Sequence, residues 1–231
     1  MATLLNSRGF LMSKLVSMEN SIRATLAEFG IASRGRYRPT FERRIAALLT
    51  DHPETIESLR PLLNVWKTTY AEFLGLDKKV AAAAAADPVC TRLMTAPYVG
   101  PVVALTFRST IDEPKRFPHS QTIGAHLGLT QRVKASGELV RKGRISAWGD
   151  RQLRALLVRT ATSILTLNSR SINLKAWARQ VAERRGLPKA RIALARRLGV
   201  ILHKMWCDDR DFDDSLIVAP AGTVKDEAAG R

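Results

Sequence analysis

The sequence predicts a mainly α-helical protein. Apolar residues recur at spacings of three and four through most of its 231 residues. No segment alternates with period two for long enough to demand a sheet. Prolines, glycines and the Asp87-Pro88 pair break the helical pattern into lengths typical of packed helices.

The first stripe runs Leu11, Leu15, Met18, Ile22, Leu26 and Phe29. A break rich in Gly, Ser and Arg follows from Gly30 to Pro39, then a short helix that Thr40 is placed to cap. Asp51 and Pro53 mark the start of a second long helix. There Ile56, Leu59, Leu63, Trp66, Tyr70 and Phe73 keep a strict three-four alternation, a heptad seam. Pro61 and Gly75 fall inside this pattern, so a kink or a frayed stretch is expected. Two arrangements satisfy the stripes: an antiparallel hairpin packed on itself, or a coiled coil pairing with a second protomer. The alanine run 81–86 continues the helix. Asp87-Pro88 supplies a new N-cap and first helical position.

Beyond Pro88 the texture changes. Leu93, Met94, Val99, Val102 and Val103 flank Pro97-Tyr98-Val99-Gly100-Pro101, which reads as helix, tight corner, helix. Ser120 is placed to cap a short helix through Leu127. The segment Gly128 to Gly149 holds four glycines and no long apolar period, and reads as a loop. Leu153, Leu156, Leu157, Ile164 and Leu165 resume a helical stripe, with Asp150 as its N-cap. A final helix around 190–206 buries Leu194, Leu198, Ile201 and Met205. The organisation expected is a helical region 1–86, a compact helical domain 87–207, and an acidic, disordered tail 208–231.

Charge is distributed unevenly. Residues 132–204 hold eighteen Lys and Arg against three acidic residues, a net +15 of the +16 carried by the whole chain. A block this basic attracts a phosphate backbone through counterion release. Its simpler reading is a solvated face; the glycine-rich segments within it favour a nucleic-acid surface. Cys90 and Cys207 make no disulfide framework, and the four scattered histidines make no metal cluster, so a reducing cytoplasm is expected. The longest uninterrupted apolar run, 80–86, is far too short to span a bilayer.

Two features can carry chemistry. A helix–hairpin–helix element turns backbone N–H groups toward a phosphate. Gly100 before Pro101 suits it, although Tyr98 stands where a first glycine is usual; a plain helical corner is the alternative. The second feature is Ser136-Gly137, followed by Arg141-Lys142-Gly143-Arg144-Ile145-Ser146 and then Trp148-Gly149-Asp150-Arg151-Gln152-Leu153-Arg154. A serine on a glycine turn among cations can hydrogen-bond a phosphate. It can equally attack one, with guanidinium groups stabilising the developing charge. Of the four tryptophans, Trp148 is the one placed to stack on a base; the others sit at helical spacing with apolar neighbours.

Taken in order, Leu93 to Pro101, Arg116-Phe117, Gly128-Leu129-Thr130, Ser136-Gly137, Gly143 to Ser146 and Gly149 to Arg154 resemble the C-terminal transposase domain of the bridge-RNA-guided insertion-sequence transposases, relatives of the pilin-gene invertases. The resemblance extends from about residue 1 to 210. It implies DNA as substrate, a guide RNA as partner, a coiled-coil linker over residues 1–85 through which protomers associate, and a nucleophilic serine. Ser136 falls on that serine by its spacing to Gly143. Arg132, Lys134, Gly137, Arg141, Lys142, Gly143, Arg144, Arg151 and Arg154 would surround the nucleic acid. The chain departs from the family at Ala135, Glu138 and Ala147-Trp148, where a serine, a glycine and a commonly basic pair are usual. The family's resolvase-like domain carries four metal-binding carboxylates. Between Met1 and Gly30 no strand-like run bears an Asp, and the first Asp is Asp51. The chain therefore resembles the C-terminal half of such an enzyme, by truncation, a split gene or a late start. Mg²⁺ is expected only with the missing domain. A non-catalytic nucleic-acid-binding remnant or regulator is the rival reading.

Overall fold

A computed structural model describes residues 1–33, 35, 37–136, 139–167 and 172–216, with the backbone alone for 133–136 and 139–142. The described chain is mainly α and divides into two compact units, Met1–Ala82 and Ala83–Arg231.

In the first unit, α1 (Ala2–Glu28) and α3 (Pro53–Ala86) flank the short α2 (Phe41–Leu48). Helix α1 ends in a Schellman closure: Gly30 N–H donates to Ala27 O at 3.0 Å and Ile31 N–H to Leu26 O at 2.9 Å. Both apolar stripes turn inward within one chain. Leu15, Ile22 and Leu26 meet Phe41, Ile45 and Leu49, and Leu59, Leu63, Trp66 and Phe73 complete the cluster. Glu19 accepts from Trp66 Nε1 at 3.3 Å, and Arg8 Nε donates to Asp77 at 2.6 Å. Stepping back along α1 steps forward along α3, so the two helices run antiparallel. The self-packed hairpin is the arrangement found, and the seam from Ile56 to Phe73 is covered by this chain's own helices.

Helix α3 continues through both Pro61 and Gly75 as one α-helical segment. Thr40 occupies the N-cap of α2 without capping it; its hydroxyl donates back to Tyr37 O at 3.3 Å. Glu19, only 6% exposed, is the polar centre of this unit. Arg38 Nε donates to it at 2.5 Å and Arg23 lies 3.8 Å away. A buried carboxylate with these partners is stable in place and costly to leave alone.

The second unit is built on α9 (Leu187–Cys207), against which α4 (Pro88–Leu93), α6 (Ile123–His126), α7 (Arg151–Thr166) and α8 (Ile172–Arg185) all pack. Leu194, Leu198 and Leu202 are fully buried along it. Helix α5 (Pro101–Ile111) packs on α7. Asp87 caps α4 as expected, accepting from Val89 N at 2.8 Å and Cys90 N at 3.2 Å, with Pro88 at the first helical position. Ser120 does not cap α6. It opens a 3₁₀ turn, Ser120–Thr122, and its hydroxyl is held by His203 Nδ1 at 2.9 Å. His203 is buried, and its Nε2 donates to Pro114 O at 3.0 Å because a carbonyl can only accept. Both ring nitrogens are thereby tied into packing between α9 and the 3₁₀ turns before α6.

Two expectations are corrected here. The segment read as a loop between Gly128 and Gly149 contains an antiparallel pair, β1 (Gln131–Ser136) and β2 (Leu139–Ile145). Its strands are short and rich in charged residues, so period-two patterning is weak. The signal that was present is a two-residue Gly-first connection, Gly137-Glu138, between them. Disorder from Asp208 onward does not include its first residues. Phe212 N donates to Thr95 Oγ1 at 2.9 Å, and Asp214 accepts from Asn173 N at 2.9 Å and Leu174 N at 3.3 Å, tying residues through Leu216 to α8. Residues 217–231 lie outside the described residues.

Trp66→Ala is expected to cost about 3–5 kcal/mol, since it opens a large cavity beside Phe41 and Tyr70. Glu42→Ala, which removes only the exposed pair with Lys67, is expected to cost under about 1 kcal/mol. Urea denaturation separates the two, and equal midpoints would refute the inward seam.

Burial, reinforced by the Asp87 carboxylate, pushes the Cys90 thiol up to about 12; Cys207 is exposed and raised by partial burial and then Asp208. A native thiol titration at neutral pH should read Cys207 alone, with Cys90 reacting only after unfolding. The neutral Cys90 contributes stability that is intact below pH 9.0 and lost as pH rises toward 12, because the unfolded thiol releases its proton first.

Candidate nucleic-acid interface

The candidate surface is organised at the root of the β-hairpin. Just after α6, the chain passes the segment that leads from β2 into α7. Ser146 N donates to Thr130 O at 2.8 Å and Ala147 N to Gly128 O at 3.1 Å. The approach is closer than any side chain permits. A Cβ on Gly128, whose φ is +66°, would stand 2.0 Å from Trp148 O; one on Gly149, at φ +83°, would stand 2.0 Å from His126 O. Glycine is required at both positions by space and by backbone conformation.

Arg154 locks this crossing. Its Nη1 donates to Leu127 O at 3.2 Å and to Trp148 O at 3.1 Å, one carbonyl on each side. Arg132 adds a second brace, with Nη2 donating to Ser146 O at 2.8 Å. Asp150 caps α7 at the same place, accepting from Leu153 N at 2.6 Å. These contacts aim both the hairpin and α7 from one fixed root.

Within the ladder, Ser136 is the last residue of β1 and pairs with Leu139; Lys134 pairs with Arg141 and Val133 with Lys142. Between Val133 and Gln131 the register shifts. Gly143 and Arg144 together stand opposite Arg132 alone, a bulge in β2. A Cβ at Gly143 would meet only ordinary contacts with Arg132. Lys134, Ser136, Arg141 and Lys142 are placed by backbone, and Gly137 lies outside the described residues.

Along α7 the residues Arg151, Arg154, Ala155, Val158 and Arg159 join Ile145 at the end of β2 around an open groove of about 550 Å³. Arg151 and Arg159 are exposed there, and Arg144 is exposed on the adjoining strand. Sequence reasoning named Arg151 and Arg154 but missed Arg159. The signal was available, since 151, 155 and 159 share one helical face.

Gly100 is not among the groove residues. It is the N-cap of α5, in an extended conformation open to any residue, and a Cβ there would meet nothing within 4 Å. Tyr98 does adopt φ +58°, the left-handed conformation for which a glycine would be usual. The corner between α4 and α5 thus has its special backbone at Tyr98, not at Gly100.

Against known proteins, residues 90–176 match the family model described as Transposase IS116/IS110/IS902 family. This span holds the α4–α5 corner, the hairpin, its root and α7. Over these residues the chain is similar to that transposase family. It is 31% identical to a putative transposase, y4pF/y4sB, of Sinorhizobium fredii, over 90% of this chain and 55% of that protein. It is 28% identical to the transposase for insertion sequence element IS1111A of Coxiella burnetii, over 86% of this chain and 56% of the relative. A probable family 20 transposase of Pseudomonas aeruginosa is 25% identical over 84% of this chain and 60% of its own length. The chain therefore spans a little over half the length of these relatives. Among the described residues no three His, Cys, Asp or Glu are grouped so as to hold a metal ion, and no helix is long and apolar enough to cross a membrane.

Gly128→Ala and Gly149→Ala are each expected to unfold or severely destabilise the second unit, because strain at positive φ adds about 1–2 kcal/mol to a backbone clash. Gly100→Ala should leave stability within about 0.5 kcal/mol of the parent. Chemical denaturation followed by circular dichroism checks the contrast. A stable Gly128→Ala protein would contradict the root geometry.

Proposed function

We propose that this chain is the nucleic-acid-binding, serine-bearing part of a DNA transposase. The observation that carries the reading is the family match over 90–176, which spans both Ser136 and the arginine-lined groove. In this reading DNA phosphates lie along Arg144, Arg151 and Arg159, and Ser136, at the end of β1, meets the strand to be exchanged. The resemblance adds a guide RNA as a further partner.

The chemistry assigned to Ser136 is transesterification. Its Oγ forms a bond to phosphorus as a P–O bond to deoxyribose breaks. The hydroxyl proton passes to a base, and the leaving oxygen takes up a proton. One phosphodiester is exchanged for another, so the strand is held until a second hydroxyl reverses the step. Nearby guanidinium groups favour the charge that gathers on the phosphoryl oxygens. They stay protonated at neutral pH and cannot act as the base. The described residues of this chain do not fit a metal centre, and no step is assigned to a metal here. Carboxylates and Mg²⁺ belong, by the resemblance, to the resolvase-like domain.

Two measurements test this. If about six phosphates are contacted, the logarithm of DNA affinity should fall with that of salt at a slope near −5. A slope near zero would remove the basic surface from the function. Mixing the chain with the family's resolvase-like domain, Mg²⁺, guide RNA and labelled DNA should give a denaturant-resistant protein–DNA adduct that Ser136→Ala abolishes. A normal adduct with the alanine variant would exclude Ser136. Salt-dependent binding with no adduct under any condition would support the non-catalytic reading instead.

A further inference from the structure

Trp148 stands out of the fold. Its side chain is 73% exposed, while Trp66 is 2% exposed, and the rings of Trp177 and Trp206 are covered by Arg197 and Arg108 at 4.4 and 4.8 Å. Isolated surface aromatics need no explanation in general. This one is presented by an unusual backbone. Ala147, immediately before it, sits at φ +57°, and Gly149, immediately after, at φ +83°. A left-handed alanine carries a conformational cost that persists only where surrounding structure holds it.

The surrounding contacts hold it in place. Ala147 N donates to Gly128 O at 3.1 Å, Trp148 O accepts from Arg154 at 3.1 Å, and Gly128 and Gly149 admit the close crossing on either side. The main chain of Trp148 is thus fastened on both sides while its indole points to solvent. Along the chain the residue lies between the exposed Arg144 and Arg151, and Arg151 lines the groove with Arg159.

We infer that Trp148 is a stacking platform for an unpaired nucleobase of a strand whose phosphates follow the α7 groove. An exposed indole in a stretch of chain that also bears exposed arginines matches how single strands are bound without regard to sequence: backbone charge is met by arginine, and a base face is met by an aromatic ring. The base in an intact duplex is already stacked and is not offered to the ring. The platform therefore distinguishes an opened strand from a closed duplex. This inference rests on the reading that the basic face binds nucleic acid.

The test uses the whole chain and three probes: oligo(dT), oligo(U) and a blunt DNA duplex. Binding is read by anisotropy of labelled probes and by intrinsic tryptophan emission. Trp148→Ala is expected to weaken both single strands about tenfold, with Trp148→Phe restoring part of the loss. Wild-type emission should be quenched by the single strands, and that quench should be missing from Trp148→Ala. Duplex affinity and the salt slope should be unchanged, as should the thermal midpoint, since the side chain packs on little. Comparing oligo(dT) with oligo(U) decides whether DNA or RNA is the better source of the base. Salt-dependent binding with equal affinity in Trp148→Ala would overturn the platform and leave the nucleic-acid surface standing, as would an equal quench by the duplex. Absence of salt-dependent binding to every probe would overturn both.

Discussion

The second unit depends on one close crossing of its own backbone. Residues 126–130 pass residues 146–149 at a separation that two glycines alone permit. The hairpin, the start of α7 and Trp148 are all referred to this point. The hairpin leaves from it, α7 begins at it with Asp150 as cap, and Trp148 is turned outward by it. Arg154 makes the crossing a joint by bonding a carbonyl on each strand with a single nitrogen. Such a joint transmits position: a shift of α6 is a shift of the hairpin root.

The same joint changes how the basic block is understood. A net charge of +15 over residues 132–204 treats its cations as equivalent, and the fold sorts them. Arg132 and Arg154 donate to main-chain carbonyls and act as braces. Arg197 covers the face of Trp177. Arg144, Arg151 and Arg159 remain exposed along the strand and groove. Counterion release counts only charges that reach phosphate. Under the proposed function a brace also matters, because it sets where the exposed cations stand.

The first unit uses a buried charge differently. Glu19 sits within the apolar seam and is met there by Arg38 and by the indole N–H of Trp66. Sliding α1 along α3 by a turn would keep leucines against apolar neighbours but part the carboxylate from Trp66, leaving Arg23 of its own helix in reach. Apolar contacts alone tolerate such slippage, whereas a buried carboxylate does not. The register of the helical pair is therefore specified by one polar residue among many hydrophobic ones.

The helical class, the long stripes of α1 and α3, and the caps at Asp87 and Asp150 were legible because they are local. They follow from spacing along one helix face or from a side chain reaching a few residues ahead. The motif order around Ser136 was legible for the same reason, as was the concentration of cations. The hairpin was not, since its strands are short and rich in charged residues and are held by a root that joins residue 128 to 147. Nor was the division of arginines into braces and exposed contacts, because Arg154 meets Leu127 O only after the chain has folded back. Sequence by itself determined which elements form and where charge gathers. Tertiary structure decided which backbones approach too closely for a side chain, and through them which residues face solvent.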